Sequence, residues 1–192
     1  YVGFGGVNNS TDINTFLSNF DAGNTLGAIG FDTNKPSNPY PDPTPLSLTG
    51  FNFNARLASA SHAIISSAIT PQSSSYRFGG GGGLLQVSSA LIDQVTPVPL
   101  TRSVVVDSPA TTPLTLRLTS LGSTYSGGVS VTQSALIFGP NATLPATGAF
   151  ILGTGGYIGW EDTSLNSNNA AMSTYIARFG TTNGIIGFDL AP

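Results

Sequence analysis

Residues 114–119 read Leu-Thr-Leu-Arg-Leu-Thr, so that apolar and polar side chains alternate without interruption. The same alternation runs through residues 51–57, and residues 104–106 form a short run of valines. A period of two places successive side chains on opposite faces of a β-strand. Valine and threonine, which are frequent in these runs, are common strand residues. The pattern therefore predicts a chain built mainly from short β-strands.

Clusters of glycine and proline separate the predicted strands, for example at residues 122–128 and 139–145. Short strands divided at such intervals are typical of β-sandwiches and barrels. We therefore expect one domain over residues 1–192, an antiparallel β-sandwich or jelly-roll-like fold with one or two short helices. In this interpretation an N-terminal segment, residues 1–35, and a proline-rich connection, residues 36–45, lead into the main sandwich.

Two segments have helical spacing, with apolar residues at i, i+3, i+4 and i+7 on one face. They are Ile13, Phe16, Leu17 and Phe20 in the first, and Met172, Tyr175, Ile176 and Phe179 in the second. The second segment also alternates as a strand would, so both interpretations stay open. A weaker helical pattern covers residues 60–69.

The two helical segments belong to a faint internal repeat. Residues 15–32 run from Thr-Phe-Leu to Ile-Gly-Phe-Asp, and residues 174–189 run from Thr-Tyr-Ile to Ile-Gly-Phe-Asp, with a gap of two residues. One interpretation is a duplicated helix-turn-strand unit that forms matching sites near both ends of the chain. The other is a chance similarity between glycine-rich turns that precede strands. A single pair of segments does not decide between them.

The chain has an unusually small charged fraction, 8%, compared with about 25% in typical globular domains. Its polar surface must therefore consist largely of hydroxyls and amides. The net charge is only −3, and low net charge favours association between copies. A monomer coated with glycans is the alternative explanation. The six basic residues are dispersed, which argues against binding of nucleic acid and of anionic membranes. No apolar run is long enough to predict membrane insertion.

Several features suggest a secreted or cell-surface protein. The sequence starts at Tyr1 rather than at methionine, as expected after removal of a leader. Asn8, Asn9 and Asn141 each begin an Asn-x-Ser/Thr sequon and are candidates for glycosylation. The chain contains no cysteine, which excludes disulfides and thiolate metal sites but does not exclude an extracellular setting. We therefore expect an extracellular location and a fold stabilised by its core alone.

Residues with catalytic or metal-binding chemistry are sparse. His62 is the only histidine, and no Gly-x-Ser-x-Gly motif accompanies it. Residues 159–162, Gly-Trp-Glu-Asp, resemble a short stretch of some secreted calcium-binding β domains, which makes Glu161 and Asp162 weak candidates for calcium. Residues 163–169 supply no further carboxylate, whereas calcium usually takes several. We therefore predict no cofactor and no enzyme activity.

Three functions remain open from the sequence. The first is a structural protein that associates with copies of itself, as a filament, pilus-like fibre, coat or matrix subunit. Apolar Tyr1, Val2 and Phe4 would add as a strand to a neighbouring sheet edge. The second is a carbohydrate-binding, adhesive module in which Tyr157 and Trp160 contact a glycan. The third is a hydrolase that uses His62 or a pair of acids.

Overall fold

The computed structural model describes residues 1–5, 10–21, 23–32, 54–71, 73–95, 97–140, 142–145, 147–161, 169–180 and 182–189. The proline-rich connection, the three sequon asparagines and Asp162 lie outside these ranges. In chain order the described elements are β1 (Val2–Phe4), α1 (Ser10–Leu17), β2 (Ala28–Phe31), β3 (Arg56–Ala58), β4 (His62–Ile65), β5 (Ser75–Phe78), β6 (Leu84–Val87), β7 (Ser103–Asp107), β8 (Thr115–Leu118), β9 (Val129–Thr132), β10 (Ala135–Phe138), β11 (Phe150–Leu152), β12 (Tyr157–Glu161), α2 (Asn169–Ile176) and β13 (Ile185–Asp189).

The strands form two parallel sheets that wind as a β-solenoid of about 6 turns. The first sheet has the order β1-β2-β3-β5-β7-β9-β11, and the second has the order β13-β12-β10-β8-β6-β4. From β3 to β12 the chain alternates between the sheets, so each coil places one strand in each. The prediction of an antiparallel sandwich or jelly-roll was therefore wrong, although a mainly β fold was correct. The alternation in the strands shows which face is buried but not the direction of the neighbouring strand.

Each sheet turns rows of aligned apolar residues towards the centre. In the first sheet one row, in strand register, contains Ile29, Leu57, Phe78, Val106, Val131 and Leu152. In the second sheet a matching row contains Ala63, Leu85, Leu116, Leu136 and Ile158. All these side chains are buried. Burying one leucine, isoleucine or phenylalanine contributes about 1.5–3 kcal/mol, so the two rows hold the coils together.

The coils differ in length. Register partners in the first sheet are 21 residues apart from Leu57 to Phe78 and 28 apart from Phe78 to Val106. In the second sheet Leu85 and Leu116 are 31 apart, whereas Leu116 and Leu136 are 20 apart. Because the connections vary, the sequence has no fixed period of the kind by which repeat proteins are usually recognised.

The glycine run at residues 79–83 forms a tight corner between β5 and β6. Gly81 has φ of +87°, and a Cβ on it would overlap the Ser59 carbonyl of the preceding coil. Only glycine adopts this backbone conformation without strain and lets two coils approach so closely.

Both predicted helices with strong spacing are present, because α1 includes Ile13 and Phe16 and α2 includes Met172 and Tyr175. The weaker helix predicted over residues 60–69 was wrong. Those residues contain β4, in which Ala63 and Ile65 point inwards and the backbone pairs with β6. No helix among the described residues is both long and apolar enough to cross a membrane.

Candidate functional site: two matching β-α-β ends

The solenoid carries the same β-α-β unit at both ends. The first unit, β1-α1-β2, pairs Val2 with Ile29 and Gly3 with Gly30. The last unit, β12-α2-β13, pairs Ile158 with Ile186 and Gly159 with Gly187. The internal repeat is therefore structural. It is also longer than predicted, because Tyr-Val-Gly-Phe at residues 1–4 corresponds to Tyr-Ile-Gly-Trp at residues 157–160, a sequence signal that was missed.

The helices of the two units make the same aromatic contacts. In the first unit the Phe16 ring lies 5.2 Å from that of Phe4 and 5.1 Å from that of Phe20, measured between centroids. In the last unit the Tyr175 ring lies 5.4 Å from that of Trp160 and 5.2 Å from that of Phe179. Each helix thus covers the inner face of its strand pair in the same way.

A hydrogen bond between a tyrosine and an aspartate closes the opposite face of each unit, and we call it the tyrosine clasp. In the first unit the Tyr1 hydroxyl donates to Asp32. In the last unit the Tyr157 hydroxyl donates to Asp189 at 2.7 Å. The rings lie across glycines, since a Cβ on Gly30 or Gly187 would overlap the phenol. The clasp therefore requires two adjacent strands with glycine at the crossing point.

The environment of the clasp holds its phenols in the neutral form. Partial burial, the hydrogen bond to Asp189 and the nearby negative charge raise the pKa of Tyr157 to about 12. Burial and the bond to Asp32 raise the pKa of Tyr1 even further. A phenol with such a pKa is a hydrogen-bond donor at neutral pH and not a general base. The clasp thus fits a structural role.

Each unit leaves one strand edge without a partner strand among the described residues. In parallel pairing, alternate residues direct both backbone groups to the same side. The carbonyl of Phe4 accepts from the amide of Asp32, which directly follows β2, so the backbone groups of Gly3 point away from the sheet. On β13 the amide of Ile185 donates to Gly156, so the backbone groups of Ile186 point outwards. We call these the β1 edge and the β13 edge.

Exposed apolar side chains lie along both edges. At the β1 edge Tyr1 and Val2 are 51% and 50% exposed, and at the β13 edge Ile185 and Phe188 are 67% and 42% exposed. Tyr1, Val2 and Phe4, the predicted assembly residues, thus occupy an outer strand, where Phe4 is partly buried against Phe16. The β13 edge was not predicted.

The other predicted contact residues lie on or near β12. Glu161 is buried and pairs with Arg117, whose Nη2 lies 2.5 Å from its Oε2. Within the described ranges no three histidine, cysteine or acidic residues group as a metal site would require. Trp160 is only 8% exposed and packs against Tyr175, so the predicted glycan contact depends on Tyr157. The calcium and glycan hypotheses stay predictions.

His62 begins β4, opposite Leu84 of β6. Its Nε2 is buried, and no hydrogen-bond partner for it lies in the part of the chain that the structure describes. The nearby Ser59 hydroxyl donates to the carbonyl of Phe31 at 3.1 Å and accepts from the amide of Ser61. Among the described residues, therefore, His62 and a serine are not joined as a nucleophilic pair would be, and the hydrolase hypothesis stays a prediction.

Comparisons of the chain with protein-family models, with curated proteins and with solved structures found no match.

Proposed function

We propose that this protein is a structural subunit of a secreted or cell-surface assembly and that it associates end to end with copies of itself. It needs no catalytic site for this role. The observation that supports the proposal is the pair of parallel strand edges, β1 and β13, which lie at opposite ends of one solenoid and carry exposed apolar residues.

The chemistry of the edges favours addition of a strand. Natural sheets usually protect their outer strands with lysine, proline, a bulge or a covering segment. β1 and β13 contain neither lysine nor proline. The only charged residue in either strand is Asp189, which accepts the hydrogen bond of Tyr157. An added strand would therefore meet backbone groups and apolar side chains without having to bury an unpaired cation.

The solenoid architecture favours growth along its axis. Each coil contacts mainly its neighbours, so a further coil repeats interactions that the molecule already makes. The net charge of −3 produces little repulsion between copies. End-to-end contact would therefore lengthen the apolar rows that stabilise the single molecule.

Light scattering and negative-stain electron microscopy of the purified chain would test this function. We expect elongated particles whose mass rises with concentration. Ile185→Lys places a charge on the β13 edge at an exposed position, so it should shift the protein towards monomers and leave its far-UV circular dichroism unchanged. Ile92→Lys is the matched control, since Ile92 is 47% exposed between β6 and β7, in the middle of the stack.

Deleting residues 1–7 tests the opposite end. We expect loss of association, because the deletion removes β1 with its apolar side chains. A chain that stays monomeric at high concentration, or that associates equally well after the deletion and with Ile185→Lys, would contradict the proposed function.

A further inference from the structure

We infer that β13 of one copy pairs in parallel with β1 of the next, with Gly187 opposite Gly3. This inference rests on the proposed function and specifies the partner and the register. It follows from the duplication, because the edge that has no partner strand among the described residues of one unit is occupied in the other. The strand that pairs with the equivalent edge inside the molecule therefore shows which side chains fit beside each outer edge.

The β1 edge corresponds to the edge of β12 that β10 occupies. There Leu136 lies beside Ile158 and Phe138 beside Trp160, which gives an aliphatic residue and a phenylalanine on the inner face. The strand β13 offers the same pair, Ile186 and Phe188, at the same spacing. Placed against β1, these residues would lie beside Val2 and Phe4.

The β13 edge corresponds to the edge of β2 that β3 occupies. There Leu57 lies beside Ile29, and the small residue Ala58 lies beside Gly30, the glycine that the Tyr1 ring crosses. The strand β1 offers Val2 and Gly3 at these two places. In the order of apolar and small residues, β13 thus matches β10, and β1 matches β3.

Backbone geometry restricts the register. A residue whose amide and carbonyl face the partner strand must lie opposite one whose groups face away. Gly3 faces the β1 edge, whereas Ile186 and Phe188 face the β13 edge. Gly3 therefore fits opposite Gly187, where its amide donates to Ile186 and its carbonyl accepts from Phe188. A slip by one residue would also turn the apolar residues of one strand to the wrong face.

The helices fit the space that this register creates. In the inferred pair, β12 and β13 of one copy are followed by β1, β2 and β3 of the next. These five strands are separated by four strand spacings, about 19 Å at ~4.8 Å each. Among the described residues, no strand of the opposite sheet would lie between β11 of one copy and β4 of the next. The helices α2 and α1, each about 10 Å across, fill that length, and both already cover the inner faces of their strands through Tyr175 and Phe16.

Single cysteines test the register, since the chain contains no other thiol. Val2→Cys and Ile186→Cys lie side by side in the inferred pair, and neighbouring strands hold Cα atoms at about 4.8 Å, within the disulfide range of about 4.4–6.8 Å. Mixing the two variants under mild oxidation should give a disulfide-linked heterodimer in high yield. Val2→Cys mixed with Phe188→Cys, which is two residues out of register, is the control and should give at least fivefold less.

The outcomes separate the inference from the proposed function. Equal cross-linking in both mixtures, or a predominance of Val2→Cys homodimers, would overturn the inferred register. If the unmodified chain forms long particles but no mixture cross-links, the inference fails and end-to-end association stands. If the unmodified chain remains monomeric by light scattering, both fail together.

Discussion

The Tyr157 hydroxyl lies 2.7 Å from Oδ1 of Asp189, although 32 positions separate the two residues in the chain. The bond connects the first residue of β12 to the last residue of β13, diagonally across the strand pair. Tyr1 and Asp32 make the same connection at the other end. Because the ring must cross Gly187 or Gly30, the clasp fixes the register of each outer strand pair.

Replacing the glycine beneath the ring should destabilise the protein. In Gly187→Ala the added methyl group would overlap the Tyr157 phenol, and such overpacking typically costs about 1–3 kcal/mol. Gly180→Ala is the control, because a Cβ there meets nothing within 4 Å, and its free energy of unfolding should change by less than about 0.5 kcal/mol. Equal stability of both variants by urea unfolding would refute the clasp.

The clasp should make stability fall at high pH. The pKa of Tyr157 is about 12 in the folded protein and about 10 in an unfolded chain. The contribution of the Tyr157 phenol to the free energy of unfolding is therefore complete below pH 10. It is lost as the pH rises towards 12, since the unfolded state releases its proton first. Tyr157→Phe should reduce the slope of unfolding free energy against pH in this window. A difference in phenolate absorbance between folded wild type and Tyr157→Phe that titrates near pH 10 would contradict this.

Truncation of a central core residue should destabilise the whole stack. Leu136 is fully buried between Leu116 and Ile158, so Leu136→Ala should cost about 2–5 kcal/mol in unfolding free energy. Leu121→Ala is the matched control, because Leu121 is 75% exposed. Differential scanning calorimetry should show a lower melting temperature for the first variant only. Similar melting of the two would argue against the observed burial.

Replacing one partner of the ion pair between Arg117 and Glu161 should lower the free energy of unfolding more than replacing both partners. Glu161→Gln removes the negative charge beside a partly buried guanidinium, whose other side-chain partner among the described residues is Gln86. Breaking a buried pair costs up to about 3–5 kcal/mol, and we expect less because Arg117 is 22% exposed. The double variant Arg117→Met/Glu161→Met should recover much of the loss in urea unfolding. A double variant that is less stable than Glu161→Gln would show that the pair itself stabilises the fold.

The sequence predicts the elements of this molecule better than their arrangement. Leu114, Leu116 and Leu118 alternate, and β8 forms where they do. Their alternation would be the same in an antiparallel sandwich, because it records only the burial of one face. The parallel direction depends on connections that return each strand to the same end of the sheet. Those connections differ in length, so no period reveals them.

The ends of the molecule were predicted in part. Val2 and Phe4 were recognised as an apolar strand, and the similarity of the two Ile-Gly-Phe-Asp segments was visible. The correspondence of Tyr1 with Tyr157 was missed, because in both units the tyrosine lies far from its aspartate in sequence, by 31 and 32 positions. The sequence predicts that Trp160 contacts a glycan at the surface, yet α2 covers this side chain, and only tertiary packing reveals this.

The unequal coils have a mechanical consequence. The outermost strands β1 and β13 lie at opposite ends of the stack, so tension between them would act roughly along the hydrogen bonds that join successive coils. Such bonds break in sequence, and each detached coil would release 20 to 31 residues of chain, about 70–110 Å when extended. We therefore expect stepwise lengthening under load, with steps of several distinct sizes, so that a fibre of such subunits would absorb force gradually rather than rupture at once.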